Sequence, residues 1–370
     1  MSVPLLDLKL QYATIRDEVR RVTDEVFESQ YFILGKRVEE FERDFAAYCQ
    51  TKFAIGVSSG TDALLIALMV LGVGPDDEVI VPAYSFFATA GVVDRVGATP
   101  VFVDISLDDY NIDVTKIEER ITSATRAIMP VHLYGQTAAM DEINRIARKH
   151  SLAVIEDAAQ AVGAEYDGKR AGSLSPLGCF SFFPSKNLGA FGDAGAVTTS
   201  DEALAQKLVD YRVHGMRPKY YHHYVGGNFR IDALQAAILH VKLPHLDAWS
   251  EGRQRNAAAY GEVFGDDARI VLPRTLPHRR HIFNQYVIRF ESGEVRDRVM
   301  AHLRSAGIGC EVYYPLTLPQ QECFAGNPCA DESYPNSELA AATTLAIPVF
   351  PELTKDQMSE VVREIRKALG

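Results

Sequence analysis

The sequence predicts an α/β protein, with a large domain built on a mixed, mostly parallel sheet sandwiched by helices and a smaller C-terminal α+β domain. Two observations carry this. From residue 53 onward, short apolar, β-rich runs alternate with helical stretches, the pattern of a parallel sheet buried on both faces. Beyond about residue 245 that alternation gives way to long amphipathic helices separated by isolated strands. The predicted division is 1–245 and 246–370, and a chain of 370 residues can bury both cores without disulfides or metals.

In order, FAIGVSS (53–59), EVIVP (78–82), TPVFVD (99–104), RAIMPVHL (126–133), LAVIEDAA (152–159), CFSFF (179–183) and GAVTTS (195–200) read as strands. TDALLIALMVLG (61–72) and MDEINRIARKH (140–150) read as helices between them. Past 242 the spacing predicts a long helix broken near Pro244, a strand at NQYVIRF (284–290), a helix at 295–307, a strand at IGCEVYYP (308–315) and a terminal helix from Lys355. The most apolar run, 63–74, is too short to span a bilayer and reads as a buried helix.

A net charge of −11 argues against a nucleic-acid partner, which would call for a basic face. The five cysteines are odd in number and scattered, with no C-x-x-C, so neither a disulfide framework nor a metal site is expected. With no secretory signal in MSVPLLDLKLQ, the expected setting is cytoplasmic, away from any membrane.

In parallel sheets ligands gather at the carboxyl ends of strands, and four such ends carry chemistry. VSSGTDALLIAL (57–68) runs from a strand through small residues into a helix whose free N–H groups suit a phosphate, although Ser59 or Thr61 could equally be a simple cap. VIEDAAQA (154–161) ends a strand on Glu156 and Asp157, an acid pair that could meet a cationic ring nitrogen or merely cap the next segment. VPAYSFFATA (81–90) offers rings that could stack on a flat ligand or pack in the core. SFFPSKNLGAFGDAG (181–195) holds Lys186 among apolar and small residues, where lost hydration makes its neutral amine accessible for a Schiff base. Taken singly, each has a bland alternative, which for Lys186 is an exposed turn. Together they supply what pyridoxal phosphate needs: an amine, a phosphate cradle, a ring face and an acid.

Over nearly its whole length the chain resembles the DegT/DnrJ/EryC1/StrS sugar-aminotransferase family. The shared motifs run from YFILGKRVEEFERDFAAY through VSSGTDAL, VPAYSFFATA, PVHLYGQ, IEDAAQA and FSFFPSKNLGAFGDAGAV to GGNFRIDALQAAIL and LAIPVFPELT. The resemblance implies the aspartate-aminotransferase fold, with a seven-stranded sheet, about 25 N-terminal residues packing with the small domain, and a homodimer with active sites shared at its interface. It also assigns roles. Lys186 would form the Schiff base and move protons, Asp157 would pair with the pyridine nitrogen, Gln160 would reach the ring hydroxyl, and Phe86 would lie on the ring face. Gly60, Thr61 and Ser181 would hold the phosphate, and Asn228 would reach the phosphate of the neighbouring subunit. A branch of the family that dehydrates its substrate has histidine at the lysine position, so Lys186 favours transamination.

By the same resemblance the amino donor is L-glutamate and the acceptor a nucleotide-linked keto-sugar. GMRPKYYHHYVGGNFRIDALQAAIL and CEVYYPLTLPQQECF look most like members acting on 3-keto sugars, with Arg230, Tyr313 and Tyr314 at substrate positions and Tyr221, His222 and His223 nearby. Relatives often carry a histidine where this chain has Pro319, a departure in the sugar-recognition segment. A UDP-linked 2-acetamido-3-keto sugar is the first expectation and a dTDP-linked 3-keto-6-deoxyhexose the second. A 4-keto sugar, a cyclitol and a non-catalytic regulator of the same fold are the remaining alternatives.

Overall fold

The computed structural model describes residues 2–370. A seven-stranded sheet forms the centre, from β1 (Phe53–Val57), β2 (Glu78–Pro82), β3 (Thr99–Val103), β4 (Thr125–Ile128), β5 (Ala153–Asp157) and, beyond a ribbon of β6 (Glu165–Tyr166) and β7 (Lys169–Arg170), β8 (Leu177–Ser181) and β9 (Gly195–Thr199). Their order is β1-β9-β8-β5-β4-β2-β3, and only β9 runs against its neighbours. The carboxyl ends of β1, β2, β4, β5 and β8 therefore open on one rim, and the chemistry of the molecule collects there.

Helices α1 (Leu8–Ser29), α2 (Lys36–Tyr48), α3 (Gly60–Leu71), α4 (Ala88–Arg95), α5 (Met140–His150), α6 (Glu202–Arg212) and α7 (Ala233–Lys242) cover this sheet. One face packs on α3, α4 and α5 through Leu64, Ile66, Leu68, Val92 and Ile143; the other packs on α2 and α7 through Phe41, Phe45, Phe180, Phe182 and Leu239. Apolar on every side, α3 is buried almost throughout and ends on Gly72 in the left-handed region (φ 75°). Truncating a fully buried residue such as Leu64 to Ala is expected to cost about 2–5 kcal/mol.

The remaining chain forms α8 (Leu246–Phe264), β10 (Ile270–Val271), β11 (Arg279–Arg280), β12 (Tyr286–Phe290), α9 (Gly293–Ser305), α10 (Pro335–Thr343), β13 (Thr344–Ile347) and α11 (Lys355–Leu369). β12 lies between β10 and β13, all antiparallel, while β11 pairs with β6 of the ribbon. Tyr260, Phe264, Ile288, Val299, Leu303, Phe350 and Ile365 pack this second core. A reciprocal capping box of Thr354 and Gln357 starts α11.

Three features depart from the pattern read in the sequence. Of the N-terminal residues, Val3 bridges Ile308 and joins the second core, whereas α1 lies on α7 through Ile15, Val19, Val22 and Val26. The stretch 308–315 is not a strand: it touches the sheet only where Glu311 and Ala346 exchange hydrogen bonds, and its later backbone groups turn to tyrosine hydroxyls. The third strand is instead β13, TLAI, overlapping the start of LAIPVFPELT. Finally, residues 318–334 return to the large core, where Phe324 stacks on Phe87 at 5.6 Å.

Candidate active site

A cavity of about 460 Å³ opens at the rim of the large sheet. It is lined by Gly60, Thr61, Phe86, Asp157, Gln160, Ser181, Lys186, Tyr313 and Tyr314 among others, which brings nine of the residues singled out in the sequence into one place. Asn228 and Arg230 do not line it. Asn228 is exposed and bridges Val213, while Arg230 bridges Val57 beside β1 with its Nε buried and unpartnered. Tyr221, His222 and His223 sit on an exposed loop, where the two histidine rings bond the carbonyls of His214 and Arg217.

Alternation along β5 separates its two acids. Glu156 points into the protein and accepts hydrogen bonds from Gly172 (2.7 Å), Leu174 (2.9 Å) and Ser175 (2.8 Å) N–H, with His132 Nε2 at 3.0 Å. Asp157, one residue on, faces the cavity. It accepts from Thr89 Oγ1 at 2.8 Å and from the Ala159 N–H at 3.2 Å. Desolvation pushes its carboxyl pKa up, opposed by those hydrogen bonds and by Lys186 and His132.

Lys186 stands on the β8–β9 connection, half-buried at the cavity edge. Burial pulls its ammonium down to about 8, and Asp157 pulls the other way. No described residue offers its Nζ a hydrogen bond or an ion pair. An amine in this condition is partly neutral near physiological pH and free to attack a carbonyl carbon.

At the opposite end of the cavity α3 begins. Ser59 caps it by accepting from Asp62 N–H at 3.0 Å, leaving the N–H groups of Gly60 and Thr61 without helical partners. A Cβ on Gly60 would lie 2.5 Å from Ser181 Cβ, so only glycine lets the helix start approach the serine this closely. Two amides, two hydroxyls and the positive end of a helix dipole converge on a space that suits a phosphate dianion.

Between these ends lie the groups for a flat ring. Phe86 is 56% exposed, with its ring 6.0 Å from that of Tyr314. Gln160 accepts from Tyr134 N–H at 2.7 Å and donates to Tyr314 Oη at 3.0 Å, so its amide is held at the cavity wall. Lysine, acid, aromatic face and phosphate cradle thus fit pyridoxal phosphate by their chemistry.

Sequence reasoning missed the supports. Ser85 and Thr89 form a buried hydroxyl chain to Asp157, with Ser85 Oγ and Thr89 Oγ1 2.9 Å apart. The Tyr84 and Tyr134 hydroxyls both bond the Tyr313 carbonyl, and Tyr84 Oη also accepts from Tyr314 N–H at 2.8 Å. The tyrosine contacts join segments more than 170 residues apart, beyond any local spacing rule. The position of Thr89 five residues after Tyr84 was a usable signal, since it places a hydroxyl on the first turn of a helix at a strand end.

Among the described residues, no helix is long and apolar enough to cross a membrane and no cluster of His, Cys, Asp or Glu could hold a metal ion. The model of the DegT/DnrJ/EryC1/StrS aminotransferase family matches residues 13–366. A Geobacillus stearothermophilus protein named a pleiotropic regulatory protein is 50% identical over 99% of this chain and 98% of its own. The UDP-N-acetyl-3-dehydro-α-D-glucosamine 3-aminotransferase of Acidithiobacillus ferrooxidans is 43% identical over 100% and 98%. The crystal structure of S. venezuelae DesV in complex with a ketimine intermediate superposes with a TM-score of 0.96 at 42% identity, covering 99% of this chain and 98% of that one.

Proposed function

The chain belongs to the DegT/DnrJ/EryC1/StrS aminotransferase family, and from that premise we propose that it is a pyridoxal-phosphate-dependent transaminase that moves an amino group from L-glutamate to a nucleotide-linked 3-keto sugar. The single observation that carries this reading is the convergence of Lys186, Asp157, Gln160, Phe86, Gly60, Thr61 and Ser181 on one cavity. A UDP-linked 2-acetamido-3-keto-hexose is the first acceptor to try, in keeping with the 43%-identical relative named for such a sugar. A dTDP-linked 3-keto-6-deoxyhexose is the second.

When bound, the cofactor supplies an aldehyde for amines and a ring that accepts the electron pair left behind when a proton departs. The protein does the rest. Gly60 and Thr61 N–H, the Thr61 hydroxyl and Ser181 anchor the phosphate. Asp157, ionised, would hold a proton on the ring nitrogen, and Phe86 would lie against the ring face. Lys186 would carry the cofactor and also serve as acid and base, its Nζ taking the proton from the donor α-carbon in the first half and returning a proton, in the second, to the sugar carbon that receives the amine. Tyr313, Tyr314 and Arg230 are assigned to the sugar nucleotide, with Asn228 reaching the phosphate of a second subunit. An exposed apolar run, Tyr31 (76% exposed), Phe32 and Ile33 (52%), is tied to the start of α7 and supports a homodimer as the working unit.

A second reading, a regulator that keeps the fold, is prompted by the name of the 50%-identical relative. Half-reactions separate the two. Cofactor-loaded protein mixed with L-glutamate alone is expected to yield 2-oxoglutarate in proportion to protein and to exchange its visible absorbance for that of the amine form. Adding UDP- or dTDP-3-keto sugar then restores the first spectrum, and the faster acceptor identifies the nucleotide. Loaded protein that gives no 2-oxoglutarate contradicts the enzymatic reading.

A further inference from the structure

The turn that carries Lys186 is held from behind by a second buried lysine. Lys242, the last residue of α7, is 2% exposed and donates from Nζ to the Gly189 carbonyl. Among the described residues no carboxylate pairs with it. Its Nζ lies near two ring faces, Phe191 at 5.5 Å and Trp249 at 5.8 Å. Two turns back on the same helix, Gln235 bonds both backbone groups of Phe191, accepting from N–H at 2.8 Å and donating to the carbonyl at 3.3 Å.

The turn has no slack elsewhere. Lys186 N–H donates to the Phe183 carbonyl at 2.8 Å, Ala190 N–H to Phe182 at 2.7 Å, and Asn187 Nδ2 to Ile282 at 3.1 Å. A Cβ on Gly189 would lie 2.3 Å from the Pro184 carbonyl oxygen, so the two arms of the turn are already in contact. The Gly189 carbonyl and both backbone groups of Phe191 are the ones held by α7.

Burying an ammonium against one carbonyl is a poor way to gain stability, even at a helix C-terminus where the dipole helps. A methionine would fill the same space without the desolvation cost. What the ammonium adds is direction, because it fixes one backbone oxygen three residues from Lys186.

We propose that Lys242 and Gln235 are positioning residues, which clamp the 186–192 turn from α7 and so set where the Lys186 amine stands in the cavity. The proposal rests on Lys186 being the cofactor-bearing lysine. It makes no claim of contact between α7 and the cofactor.

The test uses the full-length protein freed of cofactor, with Lys242→Met and Gln235→Leu, each compared with wild type. Hydrogen–deuterium exchange is expected to rise in peptides covering 186–192 in both variants. On adding pyridoxal 5′-phosphate, covalent capture read by absorbance is expected to slow by about tenfold to a hundredfold, the usual effect of an ångström-scale misplacement. The pH midpoint of the Lys186-bound absorbance should move as well, and Lys242→Arg, which keeps a cationic donor, should restore most of the capture rate. Folded variants that lose only melting temperature, with wild-type exchange at 186–192, wild-type capture rate and an unmoved midpoint, overturn the proposal. Faster exchange at 186–192 in a protein whose wild type takes up no pyridoxal phosphate supports the clamp and instead counts against the proposed function.

Discussion

Thr89 Oγ1 donates to Asp157 Oδ2 at 2.8 Å in a fully buried pair, so a helix that begins after β2 controls the charge at the end of β5. Burial alone pushes the Asp157 carboxyl toward its neutral form, and the hydroxyl is the strongest of the groups that resist. Replacing Thr89 by Val keeps the shape and removes the donor. A hydrogen bond to a charged group is worth about 1.5–3 kcal/mol. Thr89→Val is therefore expected to raise the Asp157 pKa further and to weaken cofactor retention by about tenfold, read by equilibrium dialysis.

The Lys186 amine gives a prediction in pH. With its pKa lowered from 10.5 to about 8, capture of an added aldehyde should rise with a midpoint near pH 8 and level off above it. Asp157 holds that pKa up, so Asp157→Asn is expected to move the midpoint lower. The folded pKa lies below the unfolded one, so the contribution of Lys186 to stability is present above pH 10.5 and is lost as the pH falls through 8. Cofactor-free wild type should accordingly lose ground to Lys186→Met across that window in denaturant titrations. A midpoint near 10.5 would place Lys186 in water.

Gly60 gives a steric prediction. Gly60→Ala places a methyl 2.5 Å from Ser181 Cβ and 3.0 Å from its Oγ, and one wall of the phosphate cradle must move. Because alanine is a better helix former than glycine, the fold is expected to survive. Affinity for pyridoxal phosphate should fall much more than affinity for pyridoxal, and comparing the two in one titration isolates the phosphate end.

Glu156 and Asp157 are neighbours with different expected failures. Glu156→Gln turns an amide NH₂ toward backbone N–H donors at Gly172 or at Leu174 and Ser175, and should cost about 2–4 kcal/mol in urea unfolding. The pH midpoint of capture at Lys186 should stay where it is. Asp157→Asn should show the reverse, with a moved midpoint and a smaller change in unfolding.

What the sequence made legible follows from where the information is local. Strand-end motifs such as SSGT and IEDAAQ keep their chemistry within a few residues, and the sheet delivers them to one rim by topology alone. Choosing between Glu156 and Asp157 needed the period-two rule and knowledge of which face holds the ligand. The run 308–315 looked like a strand because Ile308, Val312 and the tyrosines are β-formers, yet it pairs with the sheet only at Glu311, and the backbone of Tyr313 and Tyr314 bonds the hydroxyls of Tyr84 and Tyr134 instead. Helices α1 and α2 went unassigned, although their buried faces pack on α7 and on β1. Lys242 was invisible for the same reason: nothing local marks a helix-end lysine as buried, and only α7 lying behind the Lys186 turn does so.

The central claim is that Lys186 alone carries the cofactor. Borohydride reduction of the loaded protein, followed by proteolysis and mass spectrometry, tests it directly. The account predicts one pyridoxyl adduct, on the peptide containing Lys186, and its loss in Lys186→Ala. A reduced adduct on another lysine, Lys242 included, or a protein that retains no cofactor to reduce, would contradict it.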